Sequence, residues 1–191
     1  MTLHVVRCNG VEPQPWKNGG GLTRELLAWP AREEWSLRLS VADIRADGPF
    51  SAFPGVDRWF AVLEGAGVLL TLPDGPHTVG PEDAPLQFHG EAAPPCELLD
   101  GPTHDLNLMI RRDGGRGAMQ RALPGEDFVA RDAFRALFTA DPLTLQIDGA
   151  DAARLPGMAL LWADGSAHGV WRIAADAPPR AWWIHFQPRP A

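Results

Sequence analysis

The chain has 191 residues, and 24 acidic against 17 basic side chains give a formal net charge of −7 at pH 7. This balance excludes general nucleic-acid binding, which needs a concentrated positive face, and Lys17 is the only lysine, which argues against a polybasic membrane anchor. Glycine (20 residues) and proline (19 residues) interrupt the chain throughout. Many short strands joined by tight turns tolerate that frequency, whereas helices do not. The composition therefore predicts an all-β fold.

Strand-like segments follow one another along the chain in two sets. The first set is Leu3–Arg7, Leu22–Ala28, Ser36–Asp43, Arg58–Glu64, Val68–Leu72, Leu86–Phe88, Cys96–Leu99 and Asp105–Arg111. The second set is Ala118–Ala122, Leu143–Ile147, Met158–Trp162, Val170–Ile173 and Ala181–Phe186. A short helix is predicted over Asp127–Phe138, with strand as the alternative for part of it. The charged, glycine-rich run Arg111–Gly117 separates the sets, which predicts two domains, 1–112 and 113–191, packed as one unit.

Two of the predicted strands alternate strictly between apolar and polar residues. Leucine and valine alternate with Arg38 and Ser40 in one strand, and leucine and isoleucine alternate with Asp105 and Asn107 in the other. Alternation places the polar side chains on one face of the sheet. That face is wet in a plain sandwich, but it lines a ligand-holding lumen in a small barrel. Periodicity alone leaves both alternatives open.

The run Trp16–Gly21 ends in three consecutive glycines, a costly tripeptide unless the backbone needs positive φ or close approach there. It is not a phosphate-binding P-loop, because no Gly-Lys-Ser/Thr follows and no helix is predicted after it. One interpretation is a loop at a pocket mouth, where Lys17 and Asn18 offer hydrogen-bond donors. The alternative is a glycine-rich turn between strands.

A second compact segment, Gly48–Arg58, contains two prolines and two phenylalanines. The prolines restrict the backbone, and Phe50 can bury the loop. Arg58 offers a planar fork that suits a carboxylate, and Asp57 could orient it. The alternative is an Asp–Arg pair at the surface, which stabilises little.

The remaining reactive residues predict neither a metal site nor a nucleophile. The six histidines form no HxH or HxxxH pair, and the chain has no GxSxG motif. We therefore expect no metal and no cofactor. Cys8 and Cys96 are more compatible with reduced thiols than with a disulfide, because the N-terminus shows no export signal. No apolar run is long enough for a membrane span, so the expected location is the cytoplasm, with no membrane partner.

Several sequence blocks together resemble the HutD/Ves family. They are WKNGGG (16–21), TRE (23–25), WSLRLSVADI (35–44), GPFSAFPGVDR (48–58), FHG (88–90) and GPTHDLNLM (101–109), in the family's order. The resemblance implies a bicupin, in which two RmlC-like cupin β-barrels pack together in one chain. Metal-dependent cupins hold their ion with an HxH pair and a downstream Glu and His. This chain lacks that set, so the resemblance implies a metal-free barrel.

The resemblance also implies a role in histidine utilisation, as a small-molecule-binding or regulatory protein and not as a degradative enzyme; Ves proteins are linked instead to environmental stress. The expected partner is a small anionic metabolite such as urocanate or N-formylglutamate, and a homodimer is plausible. The polar residues of the matching blocks become the expected ligand-binding set. This set is Trp16, Lys17, Asn18, Arg24, Glu25, Arg38, Ser40, Phe50, Asp57, Arg58, His89, Asp105 and Asn107.

Two alternatives remain open at this stage. The first is a metal-independent isomerase or hydrolase, in which Glu25, Asp57, Asp105 or His89 acts as acid or base. The second is a purely structural partner protein, in which the chain's own side chains fill the barrel.

Overall fold

The computed structural model describes residues 2–129, 133–165 and 169–190. Within these ranges the chain forms 18 strands and two 3₁₀ helices, Cys8–Gly10 and Gly90–Ala92. The strands are β1 (His4–Arg7), β2 (Gln14–Pro15), β3 (Gly21–Trp29), β4 (Leu37–Ile44), β5 (Gly48–Pro49), β6 (Val56–Glu64), β7 (Val68–Leu72), β8 (Gly75–Val79), β9 (Leu86–His89), β10 (Pro95–Leu98), β11 (Thr103–Arg111), β12 (Gly115–Arg121), β13 (Phe134–Thr139), β14 (Leu143–Ile147), β15 (Ala150–Leu155), β16 (Ala159–Asp164), β17 (Trp171–Ala174) and β18 (Ala181–Pro188). The all-β prediction is confirmed.

The chain divides into two compact units. The motif unit is Val11–Gly115, and the C-terminal unit combines Met1–Gly10 with Arg116–Ala191. The predicted division after residue 112 lies close to the end of the motif unit. Strand β1 differs from the prediction, because it pairs with β16 and so belongs to the C-terminal unit. The arrangement as two cupin barrels stays a prediction.

The motif unit contains two sheets with an apolar core between them. The larger sheet has the order β2-β3-β4-β11-β6-β9, and the smaller one has the order β5-β10-β7-β8. Their inner faces share one buried cluster, to which Phe60 and Val62 contribute from the larger sheet and Val68 and Leu70 from the smaller. The sheets therefore enclose an interior.

The strand register places polar residues in rows across the larger sheet. Met109 on β11 is paired with Arg38 on β4 and with Arg58 on β6, and Asn107 is paired with Ser40 in the next inward-facing row. Because side chains alternate between the two faces of a strand, these residues share the inner face. The same rows continue into the apolar cluster, so the polar groups lie at one end of the interior.

The C-terminal unit is built around aromatic side chains. Its sheets have the orders β1-β16-β13-β18-β12 and β15-β14-β17. The ring of Phe128 stacks on that of Trp183 at a centroid distance of 4.7 Å, and Trp171 meets Trp183 edge-on. All three are buried, so large rings fill much of this unit's core.

The predicted helix over Asp127–Phe138 is wrong for its described residues. Phe128 forms an isolated β-bridge with Trp171, and the last residues of the prediction lie in β13; residues 130–132 are outside the described part of the chain. Every residue of β13 is buried, and the strand pairs with β16 and β18 on its two sides. Because β13 buries Arg135 and Thr139 together with its apolar residues, its sequence shows no clear division into a polar and an apolar face that would separate strand from helix.

The two cysteines, Cys8 and Cys96, are buried and form no disulfide. Burial, and to a smaller extent the carboxylates of Asp105 and Asp47, raise the pKa of the Cys96 thiol to about 12. In the described ranges, no group of three or more His, Cys, Asp or Glu side chains is arranged to hold a metal ion. Residues 2–129, 133–165 and 169–190 also contain no helix with the length and apolar character of a membrane span.

Candidate anion-binding cavity

A cavity of about 630 Å³ opens at the polar end of the motif unit. Its walls come from the segment before β3, from the inner faces of β4, β6 and β11, and from the loop before β6. The lining residues are Pro15, Trp16, Lys17, Asn18, Thr23, Arg38, Ser40, Ala42, Ile44, Pro49, Phe50, Ser51, Phe53, Arg58, Asn107 and Met109.

The charge of this lining is opposite to that of the whole chain. Lys17, Arg38 and Arg58 contribute three cations, and no aspartate or glutamate is among the described residues that line the cavity. The net charge of the chain is −7. A concave surface lined by one sign of charge concentrates counter-ions of the other sign. The cavity therefore favours an anionic ligand.

Arg58 is the most enclosed of the three cations, with 4% of its surface exposed. Its Nη2 donates a hydrogen bond to Asn107 Oδ1 at 2.9 Å, whereas Nε and Nη1 have no hydrogen-bond partner in the described residues. Burial, and to a smaller extent the charge of Arg38, lower the pKa of Arg58 to about 10. The guanidinium remains protonated at neutral pH.

Three phenyl rings surround the Arg58 guanidinium. The Arg58 Cζ atom lies 4.9 Å from the ring centroid of Phe50, 5.6 Å from that of Phe53 and 5.1 Å from that of Phe88. Cation–π attraction offsets part of the lost hydration, but the rings supply no acceptor to the unpaired N–H groups. We call these three residues the phenyl box.

Arg38 is more solvated and already has a counter-ion. Its Nε lies 2.8 Å from Glu25 Oε2, although the N–H direction does not meet the geometry of a hydrogen bond. Glu25 Oε1 accepts a hydrogen bond from Arg32 Nε at 2.8 Å. Arg38 therefore adds positive potential to the cavity, while Arg58 retains the N–H donors that have no partner within the described residues.

The glycine-rich loop forms one side of the cavity. Trp16 Nε1 donates to Thr23 Oγ1 at 2.7 Å, and Asn18 Oδ1 accepts a hydrogen bond from the Gly20 N–H at 3.0 Å. A Cβ atom on Gly21 would lie 2.4 Å from the carbonyl oxygen of Asp43. Close backbone approach thus explains why glycine is required there.

Comparison with known proteins identifies the family. The HutD family model matches residues 9–181. The chain belongs to the HutD family. The predicted resemblance is thereby confirmed.

Curated relatives of this HutD-family chain match it over part of their length. An uncharacterized 21.2 kDa protein from the hutC 3′ region of Pseudomonas putida is 36% identical over 121 residues, which cover 62% of this chain and 63% of that protein. Protein Ves of Citrobacter koseri is 40% identical over 101 residues, covering 51% of this chain and 52% of that protein. The chain thus spans between half and two thirds of these relatives.

Solved structures match over nearly the whole chain. HutD from Pseudomonas fluorescens SBW25, in a formate condition, has a TM-score of 0.86 and 27% identity, covering 99% of this chain and all of that one. Oxalate decarboxylase from Bacillus subtilis has a TM-score of 0.62 at 10% identity and covers 98% of this chain and 78% of that one. The second likeness concerns the fold alone, which is cupin-like.

Most of the site residues predicted for this HutD-family chain lie together in the cavity lining. They are Trp16, Lys17, Asn18, Arg38, Ser40, Phe50, Arg58 and Asn107. Alternation predicted that Arg38 and Ser40 share one face of β4 and that Asn107 lies on the polar face of β11; the structure shows that these faces line the cavity.

Arg24 and Glu25 lie outside the lining. Arg24 Nη1 donates to Asp43 Oδ2 at 3.0 Å, so Arg24 forms an ion pair with a residue that does not line the cavity. Glu25 is occupied by Arg38 and Arg32. Neither residue is among the lining residues, although Glu25 is paired across the sheet with Ser40, which is.

Asp57 and His89 also lie outside, because each is the strand neighbour of an inward-facing residue. The Nδ1 atom of His89 lies 2.9 Å from Asp57 Oδ1. Asp57 precedes Arg58 on β6, and His89 follows Phe88 on β9. Neighbouring side chains of a strand point to opposite faces. Because Arg58 and Phe88 point inward, Asp57 and His89 point outward.

Asp105 shares the inner face with Asn107 but is not among the lining residues, although Ala42, its partner on β4, is. It is completely buried, and Thr103 Oγ1 donates to its Oδ2 at 2.8 Å. The pKa of Asp105 is raised to about 8, chiefly by burial; the Thr103 hydrogen bond opposes this rise and the charge of Asp43 contributes to it. The carboxyl is therefore mostly neutral at pH 7.

Sequence reasoning did not include Phe53, Phe88 and Met109 among the site residues. Met109 could have been found by extending the alternation of Asp105 and Asn107 by two more positions. The two phenylalanines belong to the quoted blocks, but only the fold brings Phe88 from β9 to a guanidinium on β6.

Proposed function

We propose that the protein binds a small carboxylate in this cavity, as a binding or regulatory protein and not as an enzyme. The observation that carries the proposal is Arg58, a buried cation without a carboxylate partner in the described residues, facing a cavity whose described lining has no acidic side chain.

The energetics of Arg58 favour an anionic occupant. A buried charge without a counter-ion is costly, because the lost hydration is not replaced. A carboxylate accepts two parallel N–H donors of a guanidinium and so satisfies groups that the protein leaves unpaired. Because the pKa of Arg58 stays near 10, the pair forms over the whole physiological pH range.

The rest of the lining supplies orientation. Ser40 and Asn107 offer neutral hydrogen-bonding groups near Arg58, and Trp16 and Phe50 offer apolar walls. Sites for small molecules commonly combine a few polar groups with apolar walls in a cavity of this volume. Lys17 adds a second cation on the glycine-rich loop, which suits a ligand with more than one polar end.

Family membership narrows the ligand class. We propose an anionic intermediate of histidine degradation, of the urocanate or N-formylglutamate class, held in the first of two cupin barrels. Support comes from the HutD family match and from the relative in the hutC 3′ region.

Metal-independent turnover is the competing hypothesis. The acid–base groups named for it, namely Glu25, Asp57, Asp105 and His89, are not among the lining residues. This placement favours binding over catalysis. Incubating the protein with each candidate and following the mixture by NMR tests the point, since formation of a product would establish turnover.

Titration with urocanate, N-formylglutamate, formiminoglutamate and glutamate tests the proposed function, with thermal unfolding as the measurement. A ligand at 100 times its Kd stabilises the folded state by about 2.7 kcal/mol. Arg58→Met should abolish the shift, because methionine fits the phenyl box but cannot pair with an anion. Arg24→Gln, which removes a cation outside the lining, should retain it. Absence of any shift at millimolar concentration, or full binding by Arg58→Met, would refute the proposal.

A further inference from the structure

The loop before β6 carries part of the phenyl box and is held from outside the cavity. The Phe53 N–H donates to the Gly90 carbonyl at 2.9 Å, and the Gly55 N–H donates to Glu91 Oε1 at 2.8 Å. The Gly55 carbonyl accepts a hydrogen bond from the Arg112 N–H at 2.8 Å. The position of this loop therefore depends on residues that do not line the cavity.

The side chain of Arg112 joins the elements around this loop. Its Nη1 donates to Asp57 Oδ1 at 3.0 Å and to the Val56 carbonyl at 3.2 Å, and its Nη2 donates to Glu91 Oε1. Hydrogen bonds from Arg112 and from the Gly55 backbone lower the pKa of Glu91 to about 2. Glu91 thus stays ionised at neutral pH. We call Asp57, Glu91 and Arg112 the outer clamp.

Close packing transmits the position of the clamp to the cavity. A Cβ atom on Gly90 would lie 2.4 Å from the Phe53 carbonyl oxygen and 3.0 Å from the Phe53 Cβ. The loop therefore rests directly on Gly90, the residue before Glu91. On its other side, the Phe53 ring lies 5.6 Å from the Arg58 Cζ atom.

We infer that Arg112 is a positioning residue, which through Glu91 and Asp57 holds Phe53 over Arg58 and so sets the affinity of the cavity for carboxylates. This inference rests on the proposed function. The clamp keeps the guanidinium enclosed and its unpaired N–H groups directed before the ligand arrives, which reduces the ordering cost of binding.

This role differs from simple stabilisation. The Arg112 side chain is 39% exposed and that of Glu91 42%, and ion pairs at such exposure contribute little to folding stability. Loss of the clamp should therefore affect the loop and ligand affinity while leaving the unfolding temperature nearly unchanged. A residue with only a structural role would not separate these measurements.

The test compares Arg112→Gln with Arg111→Gln. Arg111 is a matched control, because it is the neighbouring arginine and its ion pair is with Asp113, only two residues away. Hydrogen exchange of the Phe53 and Gly55 amides reports the loop, and the Kd for formate and for the four carboxylates above reports the cavity. We expect Arg112→Gln to speed exchange and to weaken binding by about tenfold, the scale of remote coupling, and Arg111→Gln to change neither.

Each outcome is decisive. Unchanged exchange and affinity in Arg112→Gln would overturn the inference, and so would weaker binding without faster exchange. A combined Arg112→Gln and Glu91→Gln variant should be no weaker than the more affected single variant, because both act through one clamp; additive losses would overturn the inference. If the wild type bound none of the probes, the proposed function would be refuted. The exchange rates of Phe53 and Gly55 would then show by themselves whether Arg112 positions the loop.

Discussion

Asp105→Asn should change how the stability of the protein depends on pH. In the folded chain the carboxyl is completely buried and its pKa is about 8, against an ordinary value of 3.8. Between these two pH values the folded state retains a proton that the unfolded state has released. Stability therefore falls as the pH rises through this window, and it levels off above pH 8.

The magnitude follows from the two pKa values. A difference of one unit corresponds to about 1.4 kcal/mol, so a rise from 3.8 to about 8 gives an upper limit on the order of 6 kcal/mol. Relaxation and water entry around an ionised Asp105 reduce this figure. The asparagine amide carries no charge at any of these pH values, and its oxygen can still accept the hydrogen bond from Thr103.

Urea unfolding of the wild type and of Asp105→Asn, from pH 5 to pH 9, measures the effect. The stability of the variant relative to the wild type should increase with pH and reach a plateau above pH 8. Asp113→Asn, which removes a mostly exposed carboxylate, controls for the background titration of other groups. A constant difference between Asp105→Asn and the wild type across this range would refute the assigned protonation state.

Three further predictions concern single residues. Gly21→Ala should destabilise the fold by about 1–3 kcal/mol in urea unfolding, because its Cβ would meet the Asp43 carbonyl oxygen; equal stability would contradict the close approach. Asn107→Leu should cost about 1–3 kcal/mol by removing the described side-chain acceptor of Arg58, and thermal unfolding in the presence and absence of carboxylate would show whether ligand restores it. Cys96 should react with a thiol reagent at pH 8 much more slowly than in urea, since burial raises its pKa to about 12; equal rates would contradict its burial.

The inner face of the cavity could be predicted from sequence where alternation was regular. Period two placed Arg38, Ser40 and Asn107 on the polar faces of their strands, and the family resemblance predicted that these faces line a pocket. The same rule explains why Asp57 and His89 do not line the cavity. Asp57 was predicted together with Arg58, and His89 was predicted instead of Phe88, although neighbouring side chains of a strand occupy opposite faces. Two adjacent residues of a pleated strand cannot both point into the same cavity, so such pairs should not be assigned to one site.

Other features depend on distances along and between strands that periodicity does not contain. Asp105 has the correct face but is completely buried and does not line the cavity, because side chains packed over it separate it from the cavity, and alternation does not predict that packing. Strand β1 belongs to the C-terminal unit, whose other residues begin at Arg116, because it pairs with β16. The buried run of β13 was ambiguous between helix and strand until its partners were known.

The single lysine provides a site for selective chemical labelling at the cavity. Lys17 carries the chain's only ε-amine, and it lies in the loop that lines one side of the cavity. An amine-reactive dye, applied after the α-amino group has been blocked, would therefore label this rim and no other side chain. Such a conjugate would turn occupancy of the cavity into an optical signal without any engineered substitution.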